Sequence, residues 1–583
     1  MLRSLTLLLL TLPVWAQYPA APQQYPPLQQ QTNPQMQGEP GADPAADQQH
    51  GVARISVAQG DVSVKRGDTG DLTGAIVNAP LMTRDHLETG PGSRAEAELD
   101  ATNVVRLAPD TDVAFANVAY MHAQLQLGIG TIILRVLRNS QAQIEVDTPS
   151  VAFRPLSPGE YRISVFDNGT SQVSVRSGRM EMSGPRGAQP IEAGQSLMVR
   201  GDASDPEFQS VSMIPRDQFD EWSASRDSEM LSTRSSQYVS PEVYGAEDLD
   251  RYGNWVPSQY GQVWAPQGQP ADWSPYSNGE WVWENYYGWT WVGYEPWGWA
   301  PYHYGRWFWN GGVGWCWWPG LRVGFGFHWG PAYVGFFGFG GGLGWVSLAP
   351  YELFHPWWGR GFRAYGPFRA YNIAGYYRNA AVRGGAMTAG FGAFAGAGHR
   401  FSAATAGQLS TASLYRGALP VSPNGGAYRF TDRAVRPNPR LSQAGARSFF
   451  SRPQQQFNTP RANGVGANSS GWQHFGTPSN SAPQRQQTFT SRPNTGNESG
   501  WHSFGTPQAA PRYSAPAAPR YNEAPRYSAP AAPHYSAPSA PKYNAPAAPK
   551  AAPHNSGGNG GHSGGGGHSG GGGHSGGGGG HHR

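Results

Sequence analysis

Between Gly51 and about Gly201, apolar and polar residues alternate in short runs such as "ARISVAQGDVSVKRG", "AEAELDATNVVRLA", "GTIILRVL", "EYRISVF" and "TSQVSVRSGRMEM". A period of two, broken by Gly, Asp, Asn or Pro at intervals of about eight to twelve residues, predicts strands with one buried face. The expectation is an all-β domain over 51–201, either a sandwich or a short β-solenoid. The pattern then changes. In "PRDQFDEWSASRDSEMLS" (215–232), Phe219, Trp222 and Met230 recur at loose helical spacing behind early acidic residues, which predicts a short amphipathic helix packed on the β-domain. A helix and connector therefore occupy 215–245.

From 246 to 359 the dominant pattern is aromatic. Eighteen of the 22 Trp lie between Tyr252 and Gly359, and "WSPYSNGEWVW" (273–283) returns as "WAPYHYGRWFW" (299–309), twenty-six positions later. Gly288, Trp289 and Trp291 fall onto Gly314, Trp315 and Trp317 at the same offset, and Gly253 and Trp255 suggest a degenerate earlier copy. Each W-x-W puts two indoles on one strand face, and a second W-x-W follows a loop containing Asn and Gly. This spacing predicts β-hairpins in which 280–283 pair with 289–292 and 306–309 with 315–318, with "SPY" and "APY" forming the turns between them. Such rings serve either as core or as stacking platforms for sugars, cations or aromatic ligands. The candidate platforms are Trp273, Tyr276, Trp281, Trp283, Trp289, Trp291, Trp299, Tyr302, Trp307, Trp309, Trp315 and Trp317. The uncharged stretch 329–350 is long enough to span a membrane, but seven glycines and Pro331 argue against a helix there.

Composition adds address and tail. "MLRSLTLLLLTLPVWAQ" has a cation, an apolar run and a small residue, Ala16, in the arrangement of a secretory signal peptide (1–16), and a Pro- and Gln-rich disordered linker (17–50) follows. The expected location is periplasmic, outer-membrane-associated or extracellular. The lone cysteine, Cys316, cannot cross-link its own chain and is expected to be a buried small residue. Residues 1–360 carry 22 cations against 36 acids, and the remainder 21 against 3, so an acidic body bears a basic tail. The tail is read as Gly-, Ala- and Arg-rich and partly disordered over 360–450, with a small ordered island around 378–394 and 413–430. Over 451–583 it is a disordered, Pro-rich then Gly/His-rich segment. "GWQHFGTP" (471–478) and "GWHSFGTP" (500–507) recur within it, and His562, His568 and His574 are spaced by six without pre-ordering.

No cofactor or metal site is expected, and the usual catalytic signatures are missing, so the chain is read as a non-enzyme. Asp110 and Asp112 are read as solvated. The expected function is cell-envelope binding or assembly. Candidate partners are envelope polysaccharide, another anionic surface polymer, the protein's own acidic half, or an outer-membrane or transmembrane signalling protein; specific nucleic-acid binding is not expected, and oligomeric state stays open.

Several of these residues also carry a family resemblance. Asp85, Leu87, Thr89, Gly90, Ser93 and Ala95 follow D-x-L-x-T-G-x-x-S-x-A, and "LGIGTI" (127–132), "DTPS" (147–150), "GEYRI" (159–163), "VSVRSG" (173–178) and "AGQ" (193–195) continue the pattern. The 51–201 region thus resembles the FecR-like domain. The resemblance implies a periplasmic β-structure that relays iron-siderophore signals from an outer-membrane transporter to a cytoplasmic sigma factor. Signalling members carry an anti-sigma segment and a membrane helix ahead of that domain, where this chain has a signal peptide and linker. An extracytoplasmic sensing component acting with a membrane partner in transcriptional regulation is the alternative function. The 246–359 segment resembles a Trp-rich bacterial domain of unknown function that commonly follows a FecR-like domain.

Overall fold

The structure, a computed structural model, describes residues 49–320, 328–359, 372–394, 401–452 and 471–474. The segment expected to be a signal peptide, nearly all of the 17–50 segment, His562, His568 and His574, and most of 451–583 lie outside the described residues.

Two sheets are built between Ala53 and Val211. In spatial order the first runs Pro80–Leu81, Ala53–Gln59, Arg94–Glu98, Asn103–Leu107, the second half of His122–Val136, Gly159–Val165, Ser171–Ser177, Ser196–Arg200 and Glu207–Val211. The second runs Leu72–Gly74, Val62–Lys65, His86–Thr89, Thr111–Ala119, the first half of His122–Val136, Gln143–Asp147, Ala152–Pro155, Arg179–Gly184 and Gly187–Glu192. Among the described residues, only the pairing of His122–Val136 with Gln143–Asp147 is parallel. Alternate residues of both sheets, among them Ile55, Leu134 and Ile163 from the first and Val64, Leu87 and Phe115 from the second, fill one core. The domain is therefore a sandwich.

His122–Val136 belongs to both sheets and changes allegiance at one residue. Ile129 pairs with Asp112 in the second sheet, and Gly130 with Val165 in the first. Gly130 has φ +98°, and a Cβ there would lie 2.3 Å from Thr111 Oγ1. Only glycine suits both the conformation and the close approach. The "LGIG" of the sequence is thus the corner of the sandwich.

Helix α1 (Gln218–Leu231) starts where Asp217 accepts from the amides of Phe219 and Asp220. Its docking differs from expectation. The fully buried stripe is Asp220, Ser223, Asp227 and Met230, and Phe219 and Trp222 are only half-buried. The reason is the arginine-lined face of the first sheet. Arg162 and Arg176 donate to Asp220 at 2.7 and 2.8 Å, and Arg106 donates to Asp227 and to the Ser223 carbonyl, both at 2.7 Å. Phe219 and Trp222 lie against the guanidinium groups of Arg162 and Arg94.

The aromatic segment forms four hairpins: Gly253–Ser258 with Gly261–Pro266, Gly279–Glu284 with Gly288–Gly293, Arg306–Asn310 with Gly314–Trp318, and Val334–Phe339 with Gly342–Ser347. The second and third have the register expected from sequence, and the first is the degenerate copy. The fourth fills the uncharged stretch 329–350; among the described residues no helix is long and apolar enough to cross a membrane. An aromatic pair faces across each hairpin: Trp255 with Trp264, Trp281 with Trp291, Trp307 with Trp317, and Phe336 with Trp345. "SPY" is a turn with Tyr276 at φ 61°, whereas "APY" sits inside the short helix α2 (Trp299–His303), a departure from the expected turn.

The register carries a steric signature. A Cβ on Gly253 would lie 2.4 Å from Trp264 Cε2, on Gly279 2.6 Å from Trp291 Cζ2, and on Gly305 2.6 Å from Trp317 Nε1. Each glycine, two residues ahead of the first Trp of its hairpin, leaves room for the indole of the opposite strand.

The ordered body continues past residue 359. Ala386–Gly390 pairs with Gly342–Ser347 and with Ser402–Ala403, and Ser413–Leu414 pairs with Val334–Phe339, so the island read at 378–394 and 413–430, together with Ser402–Ala403, completes a five-stranded sheet. Phe430 then enters the sandwich core, and helix α3 (Pro439–Gly445) places Leu441 and Ala444 on Ile129. Arg433, Arg440 and Arg452 pair with Asp61, Asp167 and Glu181 of the sandwich. Residues 430–452 of the basic tail therefore lie on the acidic sandwich.

Two outcomes test this packing. Gly279→Ala should lower stability by about 1–3 kcal/mol in thermal unfolding through overpacking against Trp291. Gly311→Ala, where a Cβ meets nothing within 4 Å, should change it by less than about 0.5 kcal/mol. Glu280 tests the interior electrostatically. Burial, and then the nearby Asp432, push its carboxyl up to about 9. The folded state thus holds a proton that the unfolded chain releases above its ordinary pKa, and stability is lost as pH rises toward 9. Glu280→Gln should raise the thermal midpoint at pH 8 and leave it unchanged at pH 4, with a stabilisation on the order of 3 kcal/mol at pH 7.

Candidate functional site

The twelve candidate platforms converge, but mostly inward. Tyr276, Trp281, Trp289, Trp291, Trp299, Tyr302, Trp307, Trp315 and Trp317 are buried, and Trp273, Trp283 and Trp309 are half-buried. Rings meet edge to face: Trp281 lies 5.3 Å from Trp291 and 5.6 Å from Trp345, and Trp297 lies 4.9 Å from Trp264. Several polar atoms of these rings are engaged internally. The Tyr276 hydroxyl donates to the Tyr302 carbonyl at 2.8 Å and accepts from the Tyr333 amide at 3.0 Å. The indoles of Trp307, Trp317 and Trp289 donate to the carbonyls of Pro301, Tyr304 and Val421. Nine rings enclosed in this way cannot stack on an external ligand. The half-buried Trp273 donates to Glu295 at 2.7 Å, while Trp283 and Trp309 flank the outer ends of the second and third hairpins.

The seam between sandwich and aromatic body is ionic, and sequence reasoning missed it. Arg54 is fully buried on a sandwich strand, and its guanidinium meets Glu98 at 3.2 Å, Glu247 at 3.3 Å, Asp248, and Asn78 Oδ1 at 3.0 Å. Arg66, also buried, donates to both oxygens of Glu284 at 2.5 and 2.7 Å and to the Trp283 carbonyl at 3.0 Å. Phe430 lies under the same guanidinium at 5.2 Å. A single Arg in a strand of period two reads as a solvent-facing residue, so no local signal marked either one. The available hints were the acidic pairs "ED" at 247–248 and Glu284 closing a Trp strand.

The motif residues are structural supports. Asp85 accepts from the amides of Gly67 and Met82 at 2.7 and 2.8 Å; burial raises its pKa, opposed by Arg66. Thr89 donates to the Ala108 carbonyl at 2.6 Å, Ser93 accepts from the Asp61 amide at 2.7 Å, and Leu87 and Ala95 are core. Beside this seam lies a cavity of about 20 Å³ lined by Arg66, Asp85 and Glu284, room for one water. Among the described residues no group of His, Cys, Asp and Glu has metal-site geometry. Cys316 is enclosed, its thiol pushed up to about 12 by burial. Burial likewise lowers His303 to about 3. Asp112 is buried and accepts from His86 Nδ1–H at 3.0 Å, so it is not the solvated residue expected.

Comparison with known proteins matches both halves of this body. Residues 85–181 match the family described as FecR protein, and residues 246–352 match a family of unknown function, DUF6600. No curated protein matches the sequence. Two crystal structures of a protein described as an anti-sigma factor, from Parabacteroides distasonis, are similar at 16% and 15% identity. Each match covers 22% of this chain and 59% of the other, with a TM-score of 0.20. The chain thus spans about three fifths of the length of those structures. It carries a FecR domain at 85–181 followed by a DUF6600 domain at 246–352.

Proposed function

We propose that the chain is an exported, non-enzymatic FecR-type sensing component that passes an extracytoplasmic signal to a membrane-spanning partner and so to transcription. The FecR match over 85–181 carries this reading. Export rests on the charge and apolar pattern of residues 1–17. The seam at Arg54 and Arg66 favours one rigid sensing body over two independent modules, because separating the modules would strip buried guanidinium groups of their carboxylates. The expected envelope-binding role drew on open indole faces as well as on the basic tail, and the burial of nine of the twelve candidate rings removes the first of these supports.

A partner needs an exposed apolar foothold, and the sandwich offers Tyr120 and Phe166, 49% and 44% exposed. Placing a photo-crosslinking residue at either position in the native host should yield a discrete adduct with a membrane protein. Deleting the gene should change the transcripts of a small gene set under the inducing condition. Adducts only with soluble envelope material, together with an unaltered transcript profile, would refute the sensing role.

A further inference from the structure

The first sheet of the sandwich ends at Glu207–Val211, which is paired inward with Ser196–Arg200. On its outer side this edge receives a short antiparallel strand, Gln473–His474, with His474 opposite Glu207 and Gln473 opposite Phe208. Trp472 lies against Arg200, whose Cζ is 3.9 Å from the ring centre, and Arg200 is held by Glu207 at 2.8 Å. His474 Nδ1 is 3.1 Å from Asp205, and its Nε2 is 3.3 Å from Glu207.

The seated residues open the first of two near-identical motifs, GWQHFGTP at 471–478 and GWHSFGTP at 500–507. The copies differ only at the third and fourth positions. In the first copy these are the two residues that add to the sheet, where main-chain pairing makes side-chain identity least important. The ring that supplies the side-chain anchor, Trp472, recurs as Trp501. Ser503 replaces His474 and lacks an imidazole for Asp205 and Glu207, so the first copy is the better ligand for its own edge.

We propose that Glu207–Val211 with Arg200 is a docking site for the G-W-x-x-F-G-T-P motif. The first copy caps the edge of its own chain, and the copy at 500–507 occupies the edge of a second chain when that cap is lifted. Open sheet edges pair readily with strands of other chains, and exchange of like elements between copies is a low-cost route to association.

The test uses the full exported chain. Trp472→Ala should shift the chain to larger species than the unaltered protein in sedimentation velocity, and adding Trp501→Ala should reverse that shift. A labelled GWHSFGTP peptide should bind the double variant Trp472→Ala/Trp501→Ala, read by fluorescence anisotropy, and Arg200→Ala on that background should weaken it about tenfold. Arg200 is half-exposed, so its removal leaves the sandwich core untouched. A peptide that fails to bind, binding indifferent to Arg200→Ala, or a Trp472→Ala chain that sediments like the unaltered protein would each overturn the proposal.

Discussion

A guanidinium withdrawn from water must be surrounded by carboxylates and carbonyls, and Arg66 finds them both beside it in sequence and on a distant hairpin. The turn that follows Val62–Lys65 supplies the neighbouring Asp68, the second aromatic hairpin supplies Glu284 and the Trp283 carbonyl, and the returning C-terminal segment places the Phe430 ring beneath it. Arg54 does the same at the other junction with Glu98, Glu247 and Asp248. A buried ion pair of this kind adds little net stability over a well-packed apolar contact, because desolvation cancels most of the Coulombic gain. Its effect is selective. Any arrangement that misplaces one module leaves a bare buried charge, so the two domains meet in one geometry.

The same logic explains why α1 buries its acids. The first sheet presents Arg106, Arg135, Arg162 and Arg176 toward the helix, and a stripe of Asp220, Ser223 and Asp227 matches them. Arg440 and Arg452 of the tail answer the acidic surface elsewhere on the sandwich. Charge segregation along the sequence thus becomes charge pairing across the fold.

Inside the aromatic body the constraint is steric. Large rings on opposite strands collide unless a position nearby is empty, and Gly253, Gly279 and Gly305 provide that space. Repeating the Gly-x-Trp unit lets a segment poor in aliphatic residues assemble a core from indoles, where ring edges pack on ring faces. The cost is that the rings are consumed by packing, which leaves Trp273, Trp283 and Trp309 as the candidates still touching solvent. In this body the glycines and the indoles are one device.

Much of this architecture was legible before folding. Strand periodicity, the two hairpin registers, the D-x-L-x-T-G signature and a helix within 215–232 are encoded by residues close in sequence, because turn chemistry and short-range periodicity act locally. The ordered sheet beyond residue 359 was visible only as an island, since Ala386–Gly390 has no reason to be a strand until Gly342–Ser347 offers an edge. Which faces are covered was legible for Cys316, open between core and platform for the indoles, and hidden for the arginines. Arg54 and Arg66 resemble surface residues, and Trp281 resembles an open platform, until partners more than 190 residues away in the sequence for Arg54 and Arg66, and the neighbouring hairpins for Trp281, close over them. Periodicity tells a side chain which side of its strand it occupies, whereas burial depends on what arrives there, and only the tertiary structure decides that.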